Sequence, residues 1–137
     1  MPLVRISLRK GRTAEFRRKL GDAIHCALVE TIDVPELDRF QILGEHEPGD
    51  LVYDPGYLGI ARTNDIVIVQ ITISTGRTLA QKRALFRRIA DNLAALGLRR
   101  EDAWINLVEV PKENWSFAHV ANAGEASYAP AQEKIPA

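Results

Sequence analysis

"ISLRKGRTAEFRRKL" (6–20) and "ITISTGRTLAQKRAL" (71–85) align without a gap at an offset of 77 − 12 = 65 residues, with Gly-Arg-Thr at the same place in each. Self-similarity at a fixed offset marks a duplicated unit. Within each copy, alternating apolar residues, the period of a strand, give way to apolar residues at helical spacing. Thr13 is placed to cap the first helix, whose apolar stripe runs Phe16, Leu20, Ile24, Leu28. In the second copy Thr78 and Gln81 have capping-box spacing, Leu85, Ile89, Leu93 and Leu96 form the stripe, and Gly97 supplies a stop.

A second strand follows each helix: "RFQILGEH" (39–46) in the first copy and "AWINLVEV" (103–110) in the second. Two βαβ units therefore predict an α+β fold, a two-layer α/β arrangement in which a four-stranded mixed sheet carries two helices on one face. The third strand, "IVIVQITI" (66–73), is apolar at nearly every position, which predicts burial on both faces. The helices cover one face, and a further subunit would have to cover the other. The predicted boundaries are repeat one at 2–46, a connection rich in Gly, Pro and Asp at 47–65, repeat two at 66–110, and a carboxy-terminal arm at 118–137 beyond a single domain of 2–117.

Composition narrows the function classes. Eighteen basic residues balance eighteen acidic ones, so no global field recruits nucleic acid or an anionic membrane. No run reaches the roughly 20 apolar residues of a membrane span. With no signal peptide ahead of the first strand, a cytoplasmic protein is expected. The one cysteine, Cys26, lies inside the first helix and is expected to be a buried small hydrophobe. His25 beside it is expected to be structural or exposed rather than a ligand, and no metal-ligand pattern stands out. Arg83, Arg87 and Arg88 read as the solvated face of the second helix.

Topology brings three chemical groups together. Helix-linked strands within each unit run parallel. If a pseudo-two-fold axis relates the copies, the start of strand one faces the end of strand three. Pro2 then lies near "STGRT" (74–78) and its Arg77, with Asp38 at the same edge. Pro2 admits two readings. A strand can open with a proline because its first residue need not pair; alternatively, loss of Met1 leaves Pro2 as a secondary amine at the chain's physical end. Its counterpart in the second copy is Val67 (2 + 65), and Arg12, the twin of Arg77, belongs at the opposite edge, as a relic or a contributor to a neighbour's site.

The amino-terminal proline, the two repeats, "VPELDRFQIL" (34–43), "EHEPGD" (45–50), "GRT" (76–78) and "ENWSF" (113–117) together resemble the tautomerase superfamily, nearest its malonate semialdehyde decarboxylase branch. The resemblance spans residues 2–117 in order. It implies a tautomerase/MIF-type fold, a homotrimer, no cofactor, and catalysis by the amino-terminal proline on a small oxo acid. It further implies that Pro2 is the catalytic amine, Asp38 its acid or water-activating partner and Arg77 the carboxylate-binding residue, with Trp115 and Phe117 walling the pocket. Decarboxylases of this branch carry two arginines after strand three, where this chain has Arg77 alone; Ser74 or Thr75 stands near the other, and Thr75 is taken as substrate-binding.

Such an amine supports two reactions. A neutral pyrrolidine nitrogen moves a proton between oxygen and carbon, which is keto–enol tautomerisation. A cationic one stabilises the enolate formed when a 3-oxo acid loses CO₂, with Arg77 holding the carboxylate. A phenylpyruvate-type tautomerase without decarboxylase role, and a non-catalytic trimeric binding or scaffold protein, are the alternatives. His119 falls in the stretch after "WSF" and is expected to be incidental.

Overall fold

The structure is a computed structural model and describes residues 1–117. The arm and His119 lie outside the described residues. Strand β1 (Leu3–Arg9), helix α1 (Ala14–Ile32) and strand β2 (Gln41–His46) form the first repeat; β3 (Val67–Ser74), α2 (Leu79–Ala95) and β4 (Ala103–Val110) form the second. The sheet order is β2-β1-β3-β4, parallel within each repeat and antiparallel where β1 meets β3. This is the expected α+β fold, with a mixed four-stranded sheet and two helices.

Capping starts both helices where their sequences predict. Thr13 Oγ1 accepts the Phe16 N–H at 3.0 Å. Thr78 and Gln81 complete a reciprocal box, the Thr78 N–H donating to Gln81 Oε1 at 2.9 Å and the Gln81 N–H to Thr78 Oγ1 at 3.1 Å. At the far end of α2, Gly97 takes φ +92°, and the Gly97 and Leu98 N–H groups donate back to the Ala94 and Leu93 carbonyls. Such a stop needs a residue free to adopt positive φ, which glycine does without steric cost.

Alternation along the strands sorts two faces. Val4, Ile6 and Leu8 of β1 and Val67, Val69, Ile71 and Ile73 of β3 are buried under the helical stripes of Leu20, Ile24, Leu28, Leu85, Ile89 and Leu93. The opposite face is only partly covered: Gln70 is exposed, Ile68 and Thr72 half-buried, and Leu3, Ile42, Trp104 and Val108 stand in solvent. Burial of β3 on both faces is thus met on the helix side and unmet on the other within one subunit.

One residue of α1 differs from expectation. Cys26 is exposed, its Sγ 2.9 Å from Glu30 Oε1. Two residues beyond Ile24 it is rotated about 200° around the helix, away from the apolar stripe. His25 is buried, at 8% exposure. Among the described residues no helix is long and apolar enough to cross a membrane, and no cluster of three or more His, Cys, Asp or Glu could hold a metal ion.

Candidate functional site

The β1–β3 register builds one end of the site. Leu3 faces Thr72, so partners sum to 75, and continuing outward sets Pro2 opposite Ile73 and Met1 opposite Ser74. Asp38 arrives from the other side of β1. It closes a turn in which its N–H donates to the Pro35 carbonyl at 3.0 Å, three residues before β2 begins. The chain's amino group, here on Met1, lies 2.6 Å from Asp38 Oδ2, with both side chains nearly enclosed. Pro2 is buried immediately inside it, its nitrogen in the Met1–Pro2 amide.

Arg77 reaches the same edge from the β3–α2 loop, after Gly76 at φ +130°. Its Nη1 donates to the Ser74 carbonyl at 3.3 Å and its Nη2 to the Ile32 carbonyl, the last residue of α1, at 3.2 Å. Two carbonyls thus pin the guanidinium, whose fork of five N–H donors leaves others available for a carboxylate.

These surroundings set the amine's acidity. Burial lowers its pKa below the usual 8.0, and this outweighs the hydrogen bond and negative charge of Asp38, which raise it; the positive charge of Arg77 lowers it further. A buried amine whose proton is loosely held is suited to act as a base near neutral pH.

The remaining candidates follow β3 and β4 at the same end of the sheet. Thr75 is exposed, and its N–H donates to the Val110 carbonyl at 3.0 Å, extending the β3–β4 ladder. Trp115 and Phe117 stack with centroids 6.4 Å apart and planes 17° from parallel, on the segment that follows β4. Among the described residues the buried Trp115 indole N–H has no hydrogen-bond partner. Ser74 is 1% exposed, and among the described residues its hydroxyl likewise has no partner. Its place opposite Met1 follows from counting the antiparallel register outward. Buried polar groups without partners cost free energy unless something completes them.

The opposite edge holds a second carboxylate that a 65-residue offset hides. Val4 pairs with Gln41 and Val69 with Ile105, so second strands are related by 105 − 41 = 64, and Asp38 corresponds to Asp102. The Asp102 N–H donates to the Arg99 carbonyl at 3.0 Å, the same turn in the same place. Asp102 is 1% exposed, and its two oxygens accept the Thr63 N–H and hydroxyl, each at 2.6 Å. Arg12, the twin of Arg77, is ion-paired to Asp65 at 3.0 Å and lies over the Phe16 ring, in a pocket of about 390 Å³ that also contains Val67.

Residues 38–118 match one family model described as tautomerase enzyme, and residues 2–59 match another of the same description. A probable tautomerase of Bacillus subtilis (strain 168), YusQ, is 41% identical over 120 residues, covering 87% of this chain and 94% of that protein. Among solved structures, a malonate semialdehyde decarboxylase inhibited by 3-bromopropiolate is 36% identical at a TM-score of 0.85, covering 98% of this chain and 99% of that one. A second malonate semialdehyde decarboxylase, described with decarboxylase and hydratase activities, is 30% identical at a TM-score of 0.83, covering 95% and 98%.

Proposed function

The chain belongs to the tautomerase family, and on that premise we propose that it acts on a small oxo acid through the amine of Pro2, exposed by loss of Met1. The reactions are malonate semialdehyde decarboxylation and keto–enol tautomerisation. One observation carries the reading: amino terminus, Asp38 and Arg77 meet at a single buried edge. Once Met1 is removed, Pro2 takes the amine's place beside the same two partners.

In the decarboxylation, Arg77 holds the carboxylate of the 3-oxo acid while the Pro2 ammonium donates a hydrogen bond to the carbonyl oxygen. The C–C bond breaks, CO₂ departs, and the electron pair becomes an enolate, which takes the Pro2 ammonium proton at carbon to give the aldehyde, water then reprotonating the amine. In the tautomerisation, neutral Pro2 accepts the enol O–H proton and returns it to carbon. Trp115 and Phe117 wall the apolar part of the substrate, and Thr75 lies at the mouth. Burial that lowers the amine's pKa favours the neutral form, so a phenylpyruvate-type tautomerase without decarboxylase role is the second reading. Leu3, Ile42, Trp104 and Val108 on the open face are the surface on which three subunits would join.

The test compares two forms identified by intact mass, one processed at Pro2 and one retaining Met1. Retention leaves the proline ring in place but makes its nitrogen an amide. The expected outcome is a folded protein whose kcat/KM for malonate semialdehyde and phenylpyruvate enol falls by about 10²–10⁴-fold, the range of a lost acid–base group. Full activity in the Met1-retaining form would overturn the mechanism. Pro2→Ala, which keeps a primary amine, is expected to retain part of the activity.

A further inference from the structure

Asp38 sits on a turn with little packing of its own. Val34 is buried, but Pro35, Glu36 and Leu37 are exposed, Leu37 at 64%. Within that exposed stretch one hydrogen bond ties the turn to a helix side chain among the described residues: His25 Nε2 lies 2.6 Å from the Glu36 carbonyl oxygen. A carbonyl only accepts, so Nε2 carries the proton and the imidazole's tautomer follows from its partner.

The second repeat shows what this bond replaces. His25 corresponds to Ala90 (25 + 65), so no imidazole reaches the turn carrying Asp102, which is tied to α2 by the Arg100–Asp91 ion pair. There the carboxylate is a further anchor, both oxygens taken by Thr63. In the first repeat Asp38 must keep an oxygen for the amine. Its turn is held through the backbone instead.

We propose that His25 is a positioning residue for Asp38: by donating to the Glu36 carbonyl it clamps the 35–38 turn onto α1 and sets the carboxylate against the amino-terminal amine. His25 touches neither the amine nor the substrate's place and acts only through the turn. The charged groups bearing on the amine are Asp38, which raises its pKa, and Arg77, which lowers it. A displaced Asp38 therefore leaves burial and Arg77 less opposed, and the amine's pKa falls further. This role rests on the functional reading only for its effect on turnover.

The experiment is an NMR titration of the amino-terminal amine, with the terminus identified by intact mass, in the wild type, His25→Phe, His25→Gln, Asp38→Asn and His25→Phe/Asp38→Asn. His25→Phe is expected to lower the amine's pKa in the same direction as Asp38→Asn and by less. His25→Gln, whose amide N–H can take the place of Nε2, is expected to restore it. In the Asp38→Asn background the phenylalanine is expected to add no shift, which a general structural disturbance would not reproduce. Turnover, where measured, is expected to show kcat reduced by up to about 10²-fold with KM little changed, as for a misplaced group. An unmoved pKa in folded His25→Phe, or the same shift with and without Asp38, overturns the proposal. Should His25→Phe fail to fold, His25→Asn, too short to reach Glu36, takes its place, and failure of both variants to fold also overturns it. A titration with the expected pattern in a protein inactive on both oxo acids would leave His25 in its role and remove the proposed reactions.

Discussion

At one edge of the sheet Asp38 faces an amine and a pinned arginine; at the other, Asp102 lies deeper and is saturated by Thr63, while Arg12 is neutralised by Asp65. Both carboxylates close the same turn, and both arginines follow the same Gly at the same helix start. The difference begins with chain connectivity. The counterpart of Met1 is Ile66 (1 + 65), whose nitrogen is a peptide N–H donating to the Thr63 carbonyl at 3.1 Å. Where the chain continues, the Thr63 N–H and hydroxyl satisfy the carboxylate. Where the chain starts, the carboxylate is left with an amine, and the edge acquires groups that can exchange protons.

If the edges differ in this way, matched substitutions should separate. Arg77→Ala is expected to have the largest effect after loss of the amine itself. A charge-assisted contact contributes roughly 1.5–3 kcal/mol, so kcat/KM for an oxo acid should fall by about 10- to 150-fold. Steady-state kinetics on the processed protein check this, and an unchanged value would take Arg77 out of the site. Asp102→Ala is expected to act on stability instead, by about 1–3 kcal/mol, because it strands a buried N–H and a hydroxyl. Urea unfolding at fixed protein concentration would measure it, with kcat/KM per folded molecule unchanged.

Asp38→Asn tests the pH behaviour. Asp38 raises the amine's pKa against burial, so its loss moves the pKa further down from 8.0. The limb of the tautomerase pH–rate profile that requires a neutral amine should move to lower pH. Decarboxylation that requires the cation should fade at lower pH than in the wild type. Profiles of kcat/KM for both substrates report the two limbs, and limbs that stay in place would mean that Asp38 does not govern the amine. The smallest effect is expected from Arg12→Ala, whose partner Asp65 is well exposed; such pairs contribute roughly 0–1 kcal/mol. A loss of turnover comparable to that of Arg77→Ala would mean that the second edge also serves the reaction.

Much of this contrast could be read in the chain before folding. Gly-Arg-Thr at 11–13 and 76–78 marks the repeat, and the Thr13 and Thr78 caps stand where their spacing puts them. The meeting of the amino terminus with Arg77 and Asp38 follows from antiparallel pairing of β1 and β3, a consequence of the pseudo-symmetry. Asp102 was concealed because one residue fewer separates it from its repeat's start, so the 65-residue alignment sets Asp38 against Ala103. The sequence leaves His25 structural or exposed, and only the fold selects the first, because its partner is a backbone carbonyl that no side-chain pattern announces. The apolar neighbours of Cys26 suggest burial, although its angular position on α1 faces water.

The sequence by itself determined the elements, their order and the pairing of the repeats, because hydrophobic period, caps and stops act over a few residues and are written locally. Tertiary structure alone decided how each polar group is satisfied: that Thr63 closes off Asp102, that His25 meets the Glu36 carbonyl in the turn of Asp38, and that Ser74 and the Trp115 indole are buried without partners among the described residues. Those outcomes depend on which groups meet across 39 residues in one case and 11 in another. Only the folded chain brings such partners within hydrogen-bonding distance, and that distance separates the edge whose carboxylate faces an amine from the edge whose carboxylate is closed off.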